Sequence, residues 1–279
     1  MSCNIELICP DCRSKLQHDS RGYNCLACGS SFEILDENII DLLPKHNKAG
    51  DEIIYRHSDY KSQFPYLSEI RNYFYTKKLA AWSMSWGHKN LIRLIGGNVN
   101  RTQVDLGIGR GDHYDYVDDK NSLIGVDYDA DAMRDIRKKG IDAPLVRADI
   151  TRLPFPDQSF DVVTSTNAFE HFYYIEVCIE EIYRILKNDG VLAVSFPIVG
   201  GWLMDTLSRF GPQREFKRRY GLNWDKVLKV EHCNTSRYIL EAVRRLFIIK
   251  KIIWSPFVIS SHNLNMFVTF QAYKNLEFI

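Results

Sequence analysis

Three glycines alternate in Val104-Asp105-Leu106-Gly107-Ile108-Gly109-Arg110-Gly111, directly after an apolar run. Glycine at such a corner reaches backbone conformations that other residues avoid and lets a ligand approach the main chain. Further on, Gly125-Val126-Asp127 puts a carboxylate at the tip of the next apolar run, where it can accept both hydroxyls of a ribose. A dinucleotide enzyme would meet these two conditions equally well. Two details separate the alternatives. The spacing is G-x-G-x-G, and Asp112 occupies the place of the last glycine in a G-x-G-x-x-G loop. Asp105, two residues before the first glycine, would repel a pyrophosphate and would suit a ligand with a cationic ammonium.

A second constellation lies near the start. Cys9-Pro10-Asp11-Cys12 and Cys25-Leu26-Ala27-Cys28-Gly29 are two C-x-x-C pairs with 12 residues between them. That spacing lets two tight knuckles present four thiolates to Zn²⁺. Four sulfur ligands close the coordination shell, so the metal is expected to be structural and to supply folding energy to a segment with little core of its own. Redox C-x-x-C pairs or unused thiols are the plainer reading. Cys3, Cys178 and Cys233 have no partner spacing and read as packing residues.

These motifs need elements to hold them. The chain has 279 residues, 45% hydrophobic and 25% charged, which suits one large globular domain with a small appendage and excludes disordered, collagen-like and coiled-coil classes. The net charge is +1, so the chain is no obvious polycation. No apolar run is long enough to span a membrane, no secretory signal is apparent, and a cytoplasmic location is expected. Residues 1–44 hold three basic and seven acidic side chains and read as a small zinc ribbon, acidic enough to make a poor grip for RNA. Residues 45–97 read as a linker followed by a helical lid over about 66–95, where Leu67, Ile70, Phe74, Leu79, Trp82, Trp86, Leu91 and Leu94 recur near helical spacing. Strand patterns follow at 103–106, 123–126, 143–146, 160–165 and 191–196, with helices at 129–139 and at 172–186, the latter closed by Asp189-Gly190. After an irregular stretch to about 234 come a helix at 236–246 and strands at 247–254 and 266–273. Strands alternating with helices predict a parallel sheet with crossover helices.

S-adenosylmethionine carries an ammonium, a ribose and an adenine in one molecule. Over about residues 101–196 the chain resembles the class I S-adenosylmethionine-dependent methyltransferases, specifically their broad ubiquinone-biosynthesis-like group. Its further landmarks, in order, are Arg147-Ala148-Asp149-Ile150, Leu153-Pro154-Phe155-Pro156-Asp157, Phe160-Asp161-Val162-Val163, Asn167-Ala168-Phe169-Glu170-His171 and Leu186-Lys187-Asn188-Asp189-Gly190. The resemblance implies an α/β, Rossmann-like, doubly wound sheet of seven strands over residues 98–279, mostly parallel with an antiparallel last strand, and a substrate-side insertion at about 198–235. It also implies roles. Asp105 would lie near the methionine ammonium, and Gly107, Gly109 and Gly111 would line the methionine moiety. Asp127 would hold the ribose hydroxyls and Tyr128 would pack on the adenine. Asp149 would accept from the adenine amine, the Ile150 backbone would meet a ring nitrogen, and Asn167 would face the methyl-transfer region. Capping for Asp149 and a turn for Asn167 are the bland alternatives. Arg110 has two roles open to it, reaching the methionine carboxylate or standing in solvent.

Methyl transfer is an in-line displacement at a sulfonium, so the protein positions the reactants and, where needed, removes a proton. His171, at the end of the fourth strand of the domain, is the candidate general base; Glu170 is a weaker one. No Asn-Pro-Pro-Tyr tetrapeptide is present, and Ser195-Phe196-Pro197 at the end of the fifth strand holds no cysteine, which leaves oxygen, or an already nucleophilic nitrogen, open as the acceptor. Residues 214–251 hold 11 basic against 4 acidic side chains, a solvated face or an attraction for an anionic substrate. The first reading is therefore a methyltransferase for a small, anionic metabolite. The second is an RNA methyltransferase, since a cysteine ribbon followed by Leu42-Leu43-Pro44 resembles the ribosomal RNA guanine-N1 enzymes. The third is a non-catalytic protein that binds the cofactor or a partner.

Overall fold

Strands that run between two covered faces have to be apolar along their whole length. Val104, Leu106, Val162, Val163, residues 191–194 and Phe196 meet that condition and are all buried. The computed structural model describes residues 6–35, 38–45, 69–70, 73, 76–96, 101–221, 223–224, 227–228 and 232–278. Most of the expected linker, and Leu67, Phe74 and Tyr75 of the expected lid, lie outside them. No helix among the described residues is long and apolar enough to cross a membrane.

The elements in chain order are β1 (Gln17–Asp19), β2 (Gly22–Asn24), β3 (Ser31–Leu35), β4 (Ile39–Asp41), α1 (Lys78–Ile95), β5 (Gln103–Leu106), β6 (Leu123–Asp127), α2 (Ala130–Lys138), β7 (Leu145–Arg147), β8 (Phe160–Thr166), α3 (Ile175–Ile185), β9 (Leu186–Pro197), α4 (Trp202–Phe210), α5 (Pro212–Tyr220), α6 (Ser236–Leu246), β10 (Phe247–Ser255) and β11 (Phe267–Lys274). All strands join one sheet of eleven, in the order β1-β2-β3-β4-β7-β6-β5-β8-β9-β11-β10. Strands β4 to β9 pair in parallel, and β11 runs antiparallel to both β9 and β10.

The expected seven strands are therefore a contiguous part of a larger sheet. The other four come from the cysteine segment, whose β4 pairs in parallel with β7 through Ile39 opposite Leu145 and Asp41 opposite Arg147. Leu7, Cys9, Leu16, Cys25, Phe32 and Leu42 join the same buried cluster as Val146, Val163 and Leu192. The segment is thus no separate bead: it extends the sheet and shares its core.

Alternation along the strands sorts the helices onto two faces. In β9, Leu192, Val194 and Phe196 pack toward α3 and α6, while Val191 and Ala193 pack toward Leu91 and Ile95 of α1. Period-two side-chain placement is what allows one strand to serve both layers. Asp129 caps α2 by accepting from the Asp131 and Ala132 amides, and Thr235 caps α6. Three local expectations shift. Helix α3 ends at Ile185, earlier than the Asp189-Gly190 stop, because Leu186 already pairs with Phe160 and residues 187–190 bulge before Val191 meets Val162. Its first residue is Ile175 rather than 172, since 169–171 form a 3-10 turn. Strand β7 starts two residues and ends one residue later than expected, where its partners Ile39 and Gly125 place it.

Candidate functional site

The connections from β5 run toward β6 on one side, and β8 lies on the other, so the C-terminal ends of these strands diverge and leave a crevice. Ligands of open α/β sheets sit at such a switch point. A cavity of about 830 Å³ occupies it, lined by Asp105, Gly107, Gly109, Asp127, Tyr128, Asp149, Ile150, Asn167 and His171. Of the cofactor-side residues expected from the sequence, Gly111 alone is absent from this lining. A Cβ there would meet Ile136 of α2, so this glycine lets the loop pack on the helix instead of facing a ligand.

The loop is held by the amides of Gly107 and Ile108, both donating to the Val126 carbonyl at 2.8 and 3.0 Å. Gly107 has φ +75°, and a Cβ would come within 2.4 Å of the Ala168 Cβ. Gly109 has φ +53° and nothing within 4 Å of a Cβ, so its bare backbone borders open cavity. The Asp127 carboxylate is fixed by two amides, Gly109 donating to Oδ2 at 2.7 Å and Asp129 to Oδ1 at 2.8 Å. Beside it, the Arg147 guanidinium lies over the Tyr128 ring, 5.7 Å from its centroid.

Asp149 is buried, and its Oδ1 accepts from the Thr151 amide and hydroxyl at 2.8 and 2.7 Å. Its Oδ2 is buried with no hydrogen-bond partner among the described residues, as are both amide atoms of Asn167 and the Thr166 hydroxyl. Buried polar atoms of this kind are rare and point to a missing partner. Asn167 itself takes the left-handed conformation, φ +55°, with its backbone N–H donating to the Ser195 carbonyl.

Asp105 is buried and accepts from the Thr164 hydroxyl at 2.6 Å. Burial pushes its carboxyl up, while His113 and Thr164 pull the other way. His113 and His88 escaped the sequence reading, yet both are buried on the cavity wall with Nδ1 atoms 3.1 Å apart. Burial lowers both, so one neutral imidazole donates to the other. Arg110 pairs with Asp135 of α2 at 3.0 Å, turned toward that helix.

At the far end of the cavity, Glu170, His171 and His232 come together. Glu170 is 2% exposed, and burial pushes it up to about 8; burial brings His232 down to about 4. His232 had no signal in the sequence, because it lies far along the chain in the irregular stretch. Trp82 and Trp86 of α1, in edge contact at 4.5 Å, line the same cavity with Met204 and Leu207 of α4. Among the described residues, none of the basic side chains of 214–251 lines it. Those of α5 and α6 stand in solvent.

The four cysteine thiols lie within 4.8 Å of one another, with Cys9 to Cys28 at 3.6 Å and Cys12 to Cys25 at 3.4 Å. Zinc–sulfur bonds of about 2.3 Å set tetrahedral edges of about 3.8 Å, so the donor set fits that ion. Each knuckle turns through a left-handed residue after its second cysteine, Arg13 at φ +66° and Gly29 at φ +80°.

Residues 104–194 match the family described as a methyltransferase domain. A Mycobacterium tuberculosis protein named "Probable S-adenosylmethionine-dependent methyltransferase" is 28% identical over 130 residues, 46% of this chain and 44% of its own length. The chain thus matches less than half of that relative. A Bacillus subtilis protein named "Putative 23S rRNA (guanine-N(1)-)-methyltransferase" is 25% identical over 202 residues, 68% of this chain and 63% of its own. A solved Pyrococcus horikoshii protein shares the fold with a TM-score of 0.50 at 16% identity, covering 78% of this chain and 99% of that one. With the strand order and the glycine loop already described, these matches make residues 104–194 a class I, S-adenosylmethionine-dependent methyltransferase domain.

Proposed function

We propose that the protein transfers the methyl group of S-adenosylmethionine to an oxygen or nitrogen of a small metabolite. The observation that carries this reading is the row of carboxylates lining one cavity from three neighbouring strands, Asp105 on β5, Asp127 at the end of β6 and Asp149 just after β7, the last with a buried oxygen lacking a partner among the described residues. Asp127, held by two amides, would receive the ribose hydroxyls without reorganising, and Tyr128 would cover the adenine. Asp149 Oδ2 would accept from the exocyclic amine beside the Ile150 amide. Asp105, raised by burial, would regain its charge against the methionine ammonium. Gly107 and Gly109 would leave room for the methionine chain. The sulfonium methyl would then point past Asn167 toward His171, the group at the acceptor end suited to take a proton.

The Cys9, Cys12, Cys25 and Cys28 cluster is assigned to structural Zn²⁺, with all four positions filled by sulfur and none left for substrate. RNA methylation is the second reading, supported by the breadth of the Bacillus subtilis match. Against it stand the acidic ribbon and the solvent-facing basic residues, none of which converges on the cavity.

Calorimetric titration with S-adenosylmethionine and S-adenosylhomocysteine tests the proposal. Micromolar binding lost in Asp127→Ala supports it, and acceptors, small anions before RNA, are then screened for turnover. Absence of binding by folded, zinc-loaded protein overturns it.

A further inference from the structure

The corner formed by Glu170, His171 and His232 has the make-up of a metal site. One carboxylate and two imidazoles offer donor atoms that all lie within 4.8 Å of one another. Glu170 Oε1 stands 3.7 Å from His171 Nε2, beyond hydrogen-bond length and within the span of two ligands on one ion. Glu170 Oε2 and His232 Nδ1 are buried with no hydrogen-bond partner among the described residues. Two buried polar atoms without a partner among the described residues, in a cluster of three such side chains, are explained by an ion that the cluster would hold.

The backbone around the corner is built to hold it. Asn234 Nδ2 donates to the carbonyls of Phe169 and Phe172 at 2.9 and 2.7 Å, bracketing the turn that bears Glu170 and His171. The Asn234 amide donates to the Glu170 carbonyl at 3.2 Å. This clamp fastens the loop carrying His232 to the end of β8, although the two segments are far apart in sequence.

We propose that Glu170, His171 and His232 form a divalent-cation site at the acceptor end of the cavity, selective for first-row ions of the manganese, iron and zinc type. Mixed carboxylate and imidazole donors suit such ions, whereas the four thiolates of the ribbon select zinc. Three protein ligands leave positions open for an acceptor, which would be a hydroxyl compound whose oxygen ligates the ion. This rests on the methyl-transfer reading above and refines it: His171 ligates, and the cation takes over the acidification of the hydroxyl. The hydroxyl O–H bond breaks and its proton leaves to water. The oxygen then forms the bond to the methyl carbon as the carbon–sulfur bond breaks, returning its electron pair to a neutral thioether.

The test is titration of the zinc-loaded full chain with Mn²⁺, free ion being followed by electron paramagnetic resonance, with calorimetry of S-adenosylmethionine in parallel. One Mn²⁺ per chain is expected, with affinity at least tenfold weaker in His232→Ala and in Glu170→Gln. Ribbon zinc and S-adenosylmethionine affinity should stay unchanged in His232→Ala, which shows that the variant is folded. A wild-type chain that binds S-adenosylmethionine and takes up no Mn²⁺ overturns the site, as does uptake unaltered by both substitutions. Mn²⁺ uptake without S-adenosylmethionine binding upholds the site and removes the methyl-transfer reading.

Discussion

Arg147 joins the cysteine segment to the Tyr128 wall of the cavity through one guanidinium. Its Nη1 donates to Asp41 Oδ2 at 2.8 Å, its Nε donates to the Tyr128 carbonyl at 3.0 Å, and its plane lies over the Tyr128 ring. Asp41 belongs to β4 and Arg147 to β7, the pair of strands where the ribbon meets the rest of the sheet.

Removing Asp41 should therefore be felt in two places. Asp41→Ala leaves a partly buried guanidinium short of its partner, at a cost of about 1–3 kcal/mol. Thermal melting should register that loss, and calorimetry should show S-adenosylmethionine binding weakened several-fold. A lower melting temperature with unaltered affinity would mean that the ribbon braces the edge and nothing more.

Asp149→Asn keeps an oxygen for the Thr151 amide and turns an amide nitrogen toward the adenine amine. Donor facing donor should weaken S-adenosylmethionine binding by roughly 1–3 kcal/mol, about 5- to 150-fold. Melting should change little, because the cap of the 150–152 turn survives. Unchanged affinity would show that the adenine lies elsewhere.

The glycines of the loop should separate folding from binding. Gly107→Ala drives a Cβ against Ala168 and should destabilise the whole domain. Gly109→Ala meets no protein atom and should cost about 1–2 kcal/mol of left-handed strain while filling cofactor space. A folded Gly109→Ala protein that still binds S-adenosylmethionine at full strength would contradict the placement of the methionine chain.

Because the cysteine segment shares the main core, a chelator that strips the proposed Zn²⁺ should lower the melting temperature of the entire chain in a single calorimetric transition. Arg13, just after Cys12, adds to the coupling by donating to the Leu153 carbonyl at 2.9 Å and to Glu181 at 2.7 Å. Two separate transitions, only one of them sensitive to chelator, would show the ribbon to be an independent unit.

Asp161 provides a pH test. Burial pushes its carboxyl up, but Lys187 at 2.8 Å and the Thr102 amide and hydroxyl outweigh that and hold it at about 2. A depressed folded value means that the stabilisation is present above the unfolded value near 4 and is lost as pH falls toward 2. Asp161→Asn should cost about 1 kcal/mol at pH 7, reduced by its partial exposure, and almost nothing at pH 2. Equal costs at both pH values would refute the assignment.

The glycine loop and the acids that line the candidate cavity were legible because their determinants are local. A strand, an alternating glycine turn and an acid at the tip of the next strand occur within a short stretch, and the period of the apolar residues shows where each strand ends. The same holds for the two cysteine knuckles, whose spacing alone brings the four thiols together. Register details were less accessible: the bulge at 187–190 depends on where Phe160 finds its partner, and the packing duty of Gly111 depends on Ile136 of a later helix.

Two features were decided by tertiary structure alone. His232 reaches Glu170 because Cys233 and Asn234 hold its loop to the 169–172 turn, bonds between residues 62 and 63 apart for which no periodicity exists to read. The docking of the ribbon on β7 combines main-chain pairing, which is nearly blind to sequence, with side-chain links such as Arg147 to Asp41 between residues 106 apart, so no local pattern announces it. The sequence determined which groups could meet a cofactor or a metal, since those depend on residue type and short spacing. Which distant groups share a wall, and which edge the ribbon extends, followed from chain folding that brings nearly sequence-blind backbone pairs and remote side chains into contact.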